Sequence, residues 1–361
     1  MSQNETSVKL SNIVERIYNT LTTGDVPEIL MPSRNKDNIV LDPKYSVWKY
    51  GGTTVSRSAK TVDGAEYMVK LLYVIDFINE MIREGKSSTL REMYYISEGW
   101  NLGKFHTEDE SNMLAEDLEV ISSMMREDFK LRPEENGASV IGNITLEEKT
   151  RKGEFKRINC KDDVGDGGYP IPYSVESDKL RFVDVDADYV LALETGGMFD
   201  RLVENGFDDD SRCVLVHLKG QPARSTRRLL KRMNTELNLP IYVFTDGDPW
   251  SFRIYGSIAY GAIKTAHISD YLAVPTAEFI GVTASDILNY DLPTDKLNDK
   301  DIAALNAELK DPRFTSEFWK SEIETMLQIG KKAEQQALAK YGLDYVTKTY
   351  LPEKISQLAG R

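Results

Sequence analysis

The stretch Ile241-Tyr-Val-Phe-Thr-Asp-Gly-Asp-Pro-Trp250 decides the fold. A short apolar run empties into Asp246-Gly247-Asp248 and stops at Pro249. Such a run, bounded by turn residues, reads as a buried strand. Two carboxylates at its mouth offer the hard oxygen donors that Mg²⁺ takes, with water and phosphate oxygens completing the shell. Upstream, Tyr189-Val-Leu-Ala-Leu-Glu-Thr-Gly-Gly197 repeats the design: an apolar strand, then Glu194, then paired glycines. Around these two stretches the chain alternates. Strands are expected at 180–184, 189–193, 213–217, 241–245 and 271–274, and helices at 197–205, 223–236 and 251–265. Alternation of this kind predicts a mostly parallel sheet covered by helices. Glu194, Asp246 and Asp248 then fall at the carboxyl edge, where such sheets bind ligands. Taken alone, Asp-Gly-Asp-Pro is equally a surface turn. Glu194 at a second strand end favours the metal reading.

A strand followed by Asp-x-Asp also opens the haloacid-dehalogenase-like phosphatases, whose first Asp is a nucleophile. That motif wants Thr or Val two places after the second Asp, and Pro249-Trp250-Ser251 follows here. Too little chain remains to supply the rest of such a site. From Ser285 onward the sequence reads as helical and charged, without visible site chemistry.

Toward the N-terminus, Ile13, Val14, Ile17 and Leu21 lie at helical spacing. Residues 39–60 read as short strands turning at Gly51-Gly52, and residues 1–65 as an arm for packing or subunit contact. A helix opens at Asp63 and runs to Arg83, where Gly85 ends it. Ser87-Ser88-Thr89 caps a second helix over Leu90 to Ser97. A third spans about Glu110 to Arg126, and two short strands follow in 138–158 around Lys152-Gly153. Three helices and a hairpin make a winged-helix pattern over 66–158. The expected fold is therefore multidomain α/β: a winged helix, then a parallel α/β domain over 159–361 with C-terminal helices.

The chain has 361 residues, 41% of them hydrophobic, enough to build two or three domains with real cores. Cys160 and Cys213 make neither a disulfide framework nor a zinc pattern, and suit a reducing cytoplasm. The first residues lack the basic and apolar regions of a signal peptide. No apolar run is long enough to span a membrane, so no membrane partner is expected. A net charge of −13 argues by itself against nucleic acid. The basic residues are clustered, however. Lys219, Arg224, Arg227, Arg228, Lys231 and Arg232 lie in a run with no acid, and Lys149, Arg151, Lys152, Lys156 and Arg157 gather on the expected wing. Both clusters read as phosphate contacts, against the general alternative of a solvated helix face. The third helix is acidic, which does not suit a helix that reads DNA.

In Leu90-Arg-Glu-Met-Tyr-Tyr-Ile-Ser97, helical pitch puts Arg91 near both Tyr94 and Tyr95. The tyrosines read either as core residues or as a phenol beside a phosphate-holding guanidinium. A free phenol, with a pKa of about 10, needs help to attack at neutral pH. Gly85-Lys86-Ser87 imitates the end of a P-loop, but Glu80 stands where the first glycine belongs. No nucleotide motif survives. His106, His217 and His267 show no ligand spacing, and His217 reads as a strand residue.

Together, Arg-Glu-Met-Tyr-Tyr95, strand-Glu194-Thr-Gly-Gly, Leu218-Lys-Gly-Gln-Pro-Ala-Arg-Ser-Thr-Arg-Arg228, Asp246-Gly-Asp-Pro, Ser251-Phe-Arg-Ile-Tyr-Gly256 and Tyr350-Leu-Pro-Glu-Lys354 resemble one family: the A subunits of archaeal type IIB DNA topoisomerases, relatives of the meiotic double-strand-break transesterase. The resemblance covers the chain after about residue 65. It implies a Toprim-type sheet domain with Mg²⁺ at Glu194, Asp246 and Asp248. It implies Tyr95 as nucleophile, making a 5′-phosphotyrosyl double-strand break in duplex DNA, with Arg91 supporting the phosphate. Another duplex would pass through the break. It further implies a homodimer, in which Tyr95 of one subunit works with the metal of the other. An ATPase B subunit would bind the ATP in an A2B2 heterotetramer on the cytoplasmic nucleoid. The competing functions are a Toprim-type Mg²⁺-dependent nuclease or phosphatase without a covalent intermediate, and a silent DNA-binding scaffold.

Overall fold

The computed structural model describes residues 3–132 and 138–359. The chain divides into two compact units. The first holds the described residues of Met1–Val40, Lys49–Glu135 and Ala266–Ile268, and the second those of Leu41–Trp48, Asn136–Thr265 and Ser269–Arg361.

In the first unit, helices Gln3–Thr22, Val62–Glu84, Leu90–Ile96 and Glu108–Ser122 surround one core. Leu10, Ile13 and Ile17 of the first helix are buried in it with Leu71, Val74, Ile78 and Leu118. Each such side chain, fully buried, contributes on the order of 1.5–3 kcal/mol. The helix Gln3–Thr22 thus packs into this core. The strand Glu28–Pro32 pairs antiparallel with Thr54–Ser58, and Ile29 enters the same core. The helix Val62–Glu84 is capped by the Thr61 side chain, which accepts from Gly64 N. It ends at Gly85, whose φ of 67° is a left-handed conformation that glycine adopts without steric cost.

The second unit is built on a six-stranded sheet in the order Tyr169–Pro170, Ser139–Ile141, Cys213–His217, Tyr189–Leu193, Ile241–Phe244, Glu278–Gly281. The last four run parallel, Ser139–Ile141 pairs antiparallel with Cys213–His217, and Tyr169–Pro170 pairs antiparallel with Ser139–Ile141. All five residues of Tyr189–Leu193 are buried, as a strand covered on both faces requires. From this central strand the chain moves first to Cys213–His217 on one side, then crosses to Ile241–Phe244 on the other. The gap between Tyr189–Leu193 and Ile241–Phe244 is thus the topological switch point, where open parallel sheets bind ligands.

Two expectations change. The strands of the anticipated wing, Ile144–Lys149 and Phe155–Asn159, pair with each other and with Leu180–Val185 in a three-stranded antiparallel sheet of the second unit. The hairpin is not an appendage of the three helices, because Ile144, Leu146 and Leu180 are buried in the second core. The strand expected at 271–274 is the end of a short helix, Ser269–Leu272, and the edge strand is Glu278–Gly281. Leu272, Ala273 and Val274 are all buried, and a short apolar run does not reveal by periodicity whether it is strand or helix. No helix among the described residues is long and apolar enough to cross a membrane.

Candidate active site

The register that pairs Leu193 with Phe244 brings the ends of two parallel strands side by side. Glu194 extends this pairing, its N–H donating to Phe244 O at 3.2 Å. The Glu194 carboxylate turns across the gap, and its Oε2 accepts from Asp246 N at 3.0 Å and from Ser251 Oγ at 2.7 Å. Asp248 caps the helix Pro249–Ala259, its Oδ1 accepting from Ser251 N at 2.7 Å, with Pro249 in the first turn. Proline there sacrifices no hydrogen bond, because the first N–H groups of a helix are unpaired anyway. Ser251, 1% exposed, therefore touches two of the three carboxylates through different atoms.

Burial pushes the Glu194 carboxyl up to about 7, and the charges of Asp246 and Asp248 add to the rise. Burial likewise raises Asp246 to about 6, again with help from Asp248. Among the described residues, none of the three carboxylates forms an ion pair. Partly buried like charges favour binding a cation. The three do not, however, converge as a ready-made cage: among the described residues no group of three or more His, Cys, Asp and Glu is disposed to hold a metal. Mg²⁺ does not require such a cage, since it is commonly held by one or two carboxylates plus water and substrate phosphate. The donor set fits that mode.

The C-terminal region, which reads as chemically silent, supplies part of this site. Asp246 Oδ1 accepts from Gln335 N at 2.8 Å, and Gly247 exchanges backbone hydrogen bonds with Ala333. No local signal in the sequence marks these contacts, which join residues 86 to 89 positions apart.

In the first unit, a capping box sets the start of Leu90–Ile96. Thr89 Oγ1 accepts from Glu92 N at 3.0 Å, and Thr89 N donates to Glu92 Oε2 at 2.7 Å. This fixes the helical face. Met93 is buried, Tyr94 packs against the core, and Tyr95 is 58% exposed. The Arg91 guanidinium lies 6.0 Å from the centre of the Tyr95 ring, and the two tyrosine rings are 5.4 Å apart. The tyrosine and the carboxylates belong to different units.

The basic run is internal in part. Arg228 forms a two-pronged ion pair with Glu176, at 2.9 and 3.2 Å, and its guanidinium lies over the Tyr271 ring at 3.8 Å. Arg232 is buried, pairs with Glu236 and donates to Leu180 O at 2.8 Å. Arg227 is also buried, and Arg224 half-buried, whereas Lys219 is exposed. The compensating acids missing from the run come from Glu176, on another segment, and from Glu236 at the helix end. Lys152 is exposed at the hairpin turn, and Arg157, also exposed, pairs with Glu147 across the strands at 3.1 Å. Arg228→Ala is accordingly expected to cost about 1–3 kcal/mol of stability by leaving Glu176 half-buried with one partner fewer. A melting curve checks this. Lys152→Ala is expected to leave melting unchanged. As for His217, it ends the strand Cys213–His217 and stacks on Phe199 at 5.5 Å, as a strand residue should.

A parallel sheet with acidic strand ends at its switch point places the second unit among Toprim-type α/β domains, and residues 189–355 match the family described as the Toprim domain of the topoisomerase 6 A subunit and Spo11. Residues 134–186 match an "All-beta domain in DNA topoisomerase VI alpha subunit", and residues 66–131 match "Type IIB DNA topoisomerase". The chain is 59% identical over 349 residues to the A subunit of type 2 DNA topoisomerase 6 from Archaeoglobus fulgidus, covering 97% of this chain and 96% of the relative. The protein of the same name from Haloarcula marismortui is 54% identical, with 98% and 96% covered, and that from Methanosarcina mazei 53%, with 97% and 94% covered. The chain belongs to the family of type IIB DNA topoisomerase A subunits, isomerases of the type II topoisomerase class.

Proposed function

We propose that this chain cuts and reseals duplex DNA by transesterification from Tyr95. The observation that carries the proposal is an exposed phenol with a guanidinium beside it, on a helix whose face is set by a capping box and a buried Met93. The Tyr95 oxygen attacks a backbone phosphorus. A tyrosyl–phosphate bond to the 5′ side forms, the bond to the 3′ oxygen breaks, and the phenolic proton ends on that 3′ oxygen. One phosphodiester replaces another, so the reverse reaction reseals the strand without a high-energy donor. Arg91 steadies the phosphate.

Glu194, Asp246 and Asp248 are the residues that would hold Mg²⁺, which when bound neutralises phosphate charge and stabilises the leaving oxygen. Cutting both strands takes two tyrosines, hence a homodimer, with Tyr95 of one subunit serving the carboxylates of the other. The relatives are named as A subunits, which supports a B partner. That partner would bind ATP and complete an A2B2 enzyme that passes one duplex through another, relaxing and decatenating DNA on the cytoplasmic nucleoid. The three helices Val62–Glu84, Leu90–Ile96 and Glu108–Ser122 are read as the helix-turn-helix part of a winged-helix domain. Lys219, Lys152 and Arg157 are the phosphate contacts in this reading. Arg228 acts from within, its ion pair with Glu176 holding the helix Arg224–Leu237 in place. In DNA-binding titrations, Lys152→Ala is expected to lower the salt slope by about one.

The test is covalent trapping. The chain is mixed with its ATPase partner, Mg²⁺, a non-hydrolysed ATP analogue and supercoiled plasmid, then denatured with detergent. Linear DNA with protein on its 5′ ends is the expected product. Cleavage with protein-free ends would make this a Mg²⁺-dependent hydrolase and overturn the proposal.

A further inference from the structure

One fully buried amide ties together the two strand ends that carry the carboxylates. Gln335 is 0% exposed. Its Nε2 donates to Phe244 O at 3.0 Å, two residues before Asp246. Its Oε1 accepts from Thr195 Oγ1 at 3.0 Å, one residue after Glu194. Its backbone N–H donates to Asp246 Oδ1 at 2.8 Å. A side chain that spends its donor on one strand and its acceptor on the other fixes their spacing, and its backbone then aims one of the carboxylates.

The segment around Gln335 is itself anchored. Gly247 N donates to Ala333 O at 2.8 Å and Ala333 N to Gly247 O at 3.2 Å, so the chain runs antiparallel along the Asp246-Gly-Asp248 turn. Lys332 Nζ pairs at 2.9 Å with Asp301, which is 1% exposed and also accepts from Trp250 Nε1 at 3.0 Å. A brace anchored in this way serves more than packing. An apolar residue of the same size would fill the space, whereas three hydrogen bonds of stated direction orient a site.

We infer that Gln335 is a positioning residue for the divalent cation, setting the separation of Glu194 and Asp246 and the direction of the Asp246 carboxylate. The inference rests on the metal reading of those carboxylates. Partners that orient metal ligands typically change metal affinity about 10–100-fold when removed.

The experiment measures Mn²⁺ binding to the full chain from the loss of the free-ion EPR signal. Mn²⁺ stands in for Mg²⁺ as a cation of the same oxygen-ligand class. Wild type is compared with Gln335→Met, Thr195→Val, Asp246→Asn and Leu338→Ala. Gln335→Met is expected to weaken Mn²⁺ binding about tenfold. With the ATPase partner present, half-maximal cleavage should move to correspondingly higher Mg²⁺. Thr195→Val, which leaves Gln335 Oε1 without its donor, is expected to weaken binding several-fold, and it serves if Gln335→Met does not fold. Leu338→Ala, at a buried apolar site three residues on, should lower the melting temperature and leave Mn²⁺ affinity alone. Wild-type affinity in both Gln335→Met and Thr195→Val, with binding lost in Asp246→Asn, overturns the role of Gln335 only. Wild-type affinity in Asp246→Asn overturns the metal reading itself.

Discussion

Tyr95→Phe is expected to abolish protein-linked DNA breaks, a loss of roughly 10³-fold or more in cleavage, the scale seen when a nucleophile is deleted. The substitution removes one oxygen from a side chain that is 58% exposed, so the fold should melt within about 0.5 kcal/mol of wild type. DNA binding should also persist, because phosphate contacts supply most of that affinity. Tyr94→Phe is the control. Tyr94 packs against the core of the first unit, and its variant should still cleave. The readout is the fraction of plasmid carrying covalent protein after detergent. Loss in Tyr94→Phe with retention in Tyr95→Phe would move the nucleophile by one residue. Retention in both would remove the tyrosine mechanism.

The second large effect is at Asp246. Asp246→Asn is expected to reduce cleavage by about 10²–10³-fold through loss of charge at the cation site, and to make the metal-free protein more stable at high pH. The sign follows from linkage. Burial raises the Asp246 carboxyl to about 6 and Glu194 to about 7, so the folded chain binds more protons than the unfolded chain between about pH 4 and 7. Stability from these groups is therefore complete below that window and is lost as pH rises through it. Asparagine keeps an oxygen for Gln335 N and carries no charge. After allowance for solvent screening, the gain is on the order of 1 kcal/mol at pH 8. This raises the melting temperature by about 2–4 °C for a unit of this size. At pH 4 the two proteins should melt together. Melting curves in chelator at both pH values test the claim, and a wild type that melts higher than the variant at pH 8 would refute it.

Much of the site is legible in the residues themselves. Glu194 and Asp246 follow apolar runs of strand length, and such runs in an alternating chain imply parallel strands with acidic carboxyl ends. The Arg91 and Tyr95 pair follows from helical pitch, with Thr89 marking the helix start. What misleads is the basic run. Lys219 to Arg232 contains no acid, yet Arg228 meets Glu176, 52 residues earlier, and Arg232 meets Glu236 just past the run. A window that stops at the run cannot see either partner. Two more differences share this cause. The apolar run at 271–274 begins as the end of the helix Ser269–Leu272 and is no strand, and the hairpin near Lys152 joins Leu180–Val185 rather than the helices.

By itself, the sequence determined the residue chemistry and the local elements: buried strands with carboxylates at their ends, a capped helix that carries Arg91 and Tyr95, and a glycine that stops the helix before it. These follow from periodicity, capping and turn chemistry, which act over a few residues. Only the tertiary structure decided that Glu194 and Asp246 stand at one switch point, that Ser251 binds the first and Gln335 the second, and that Arg227 and Arg232 of the basic run are buried. Those outcomes depend on strand order and on hydrogen bonds that close loops of about 50 to 140 residues. Such contacts form because buried polar groups must find partners wherever the fold brings them, and no short stretch of sequence records which partner that will be.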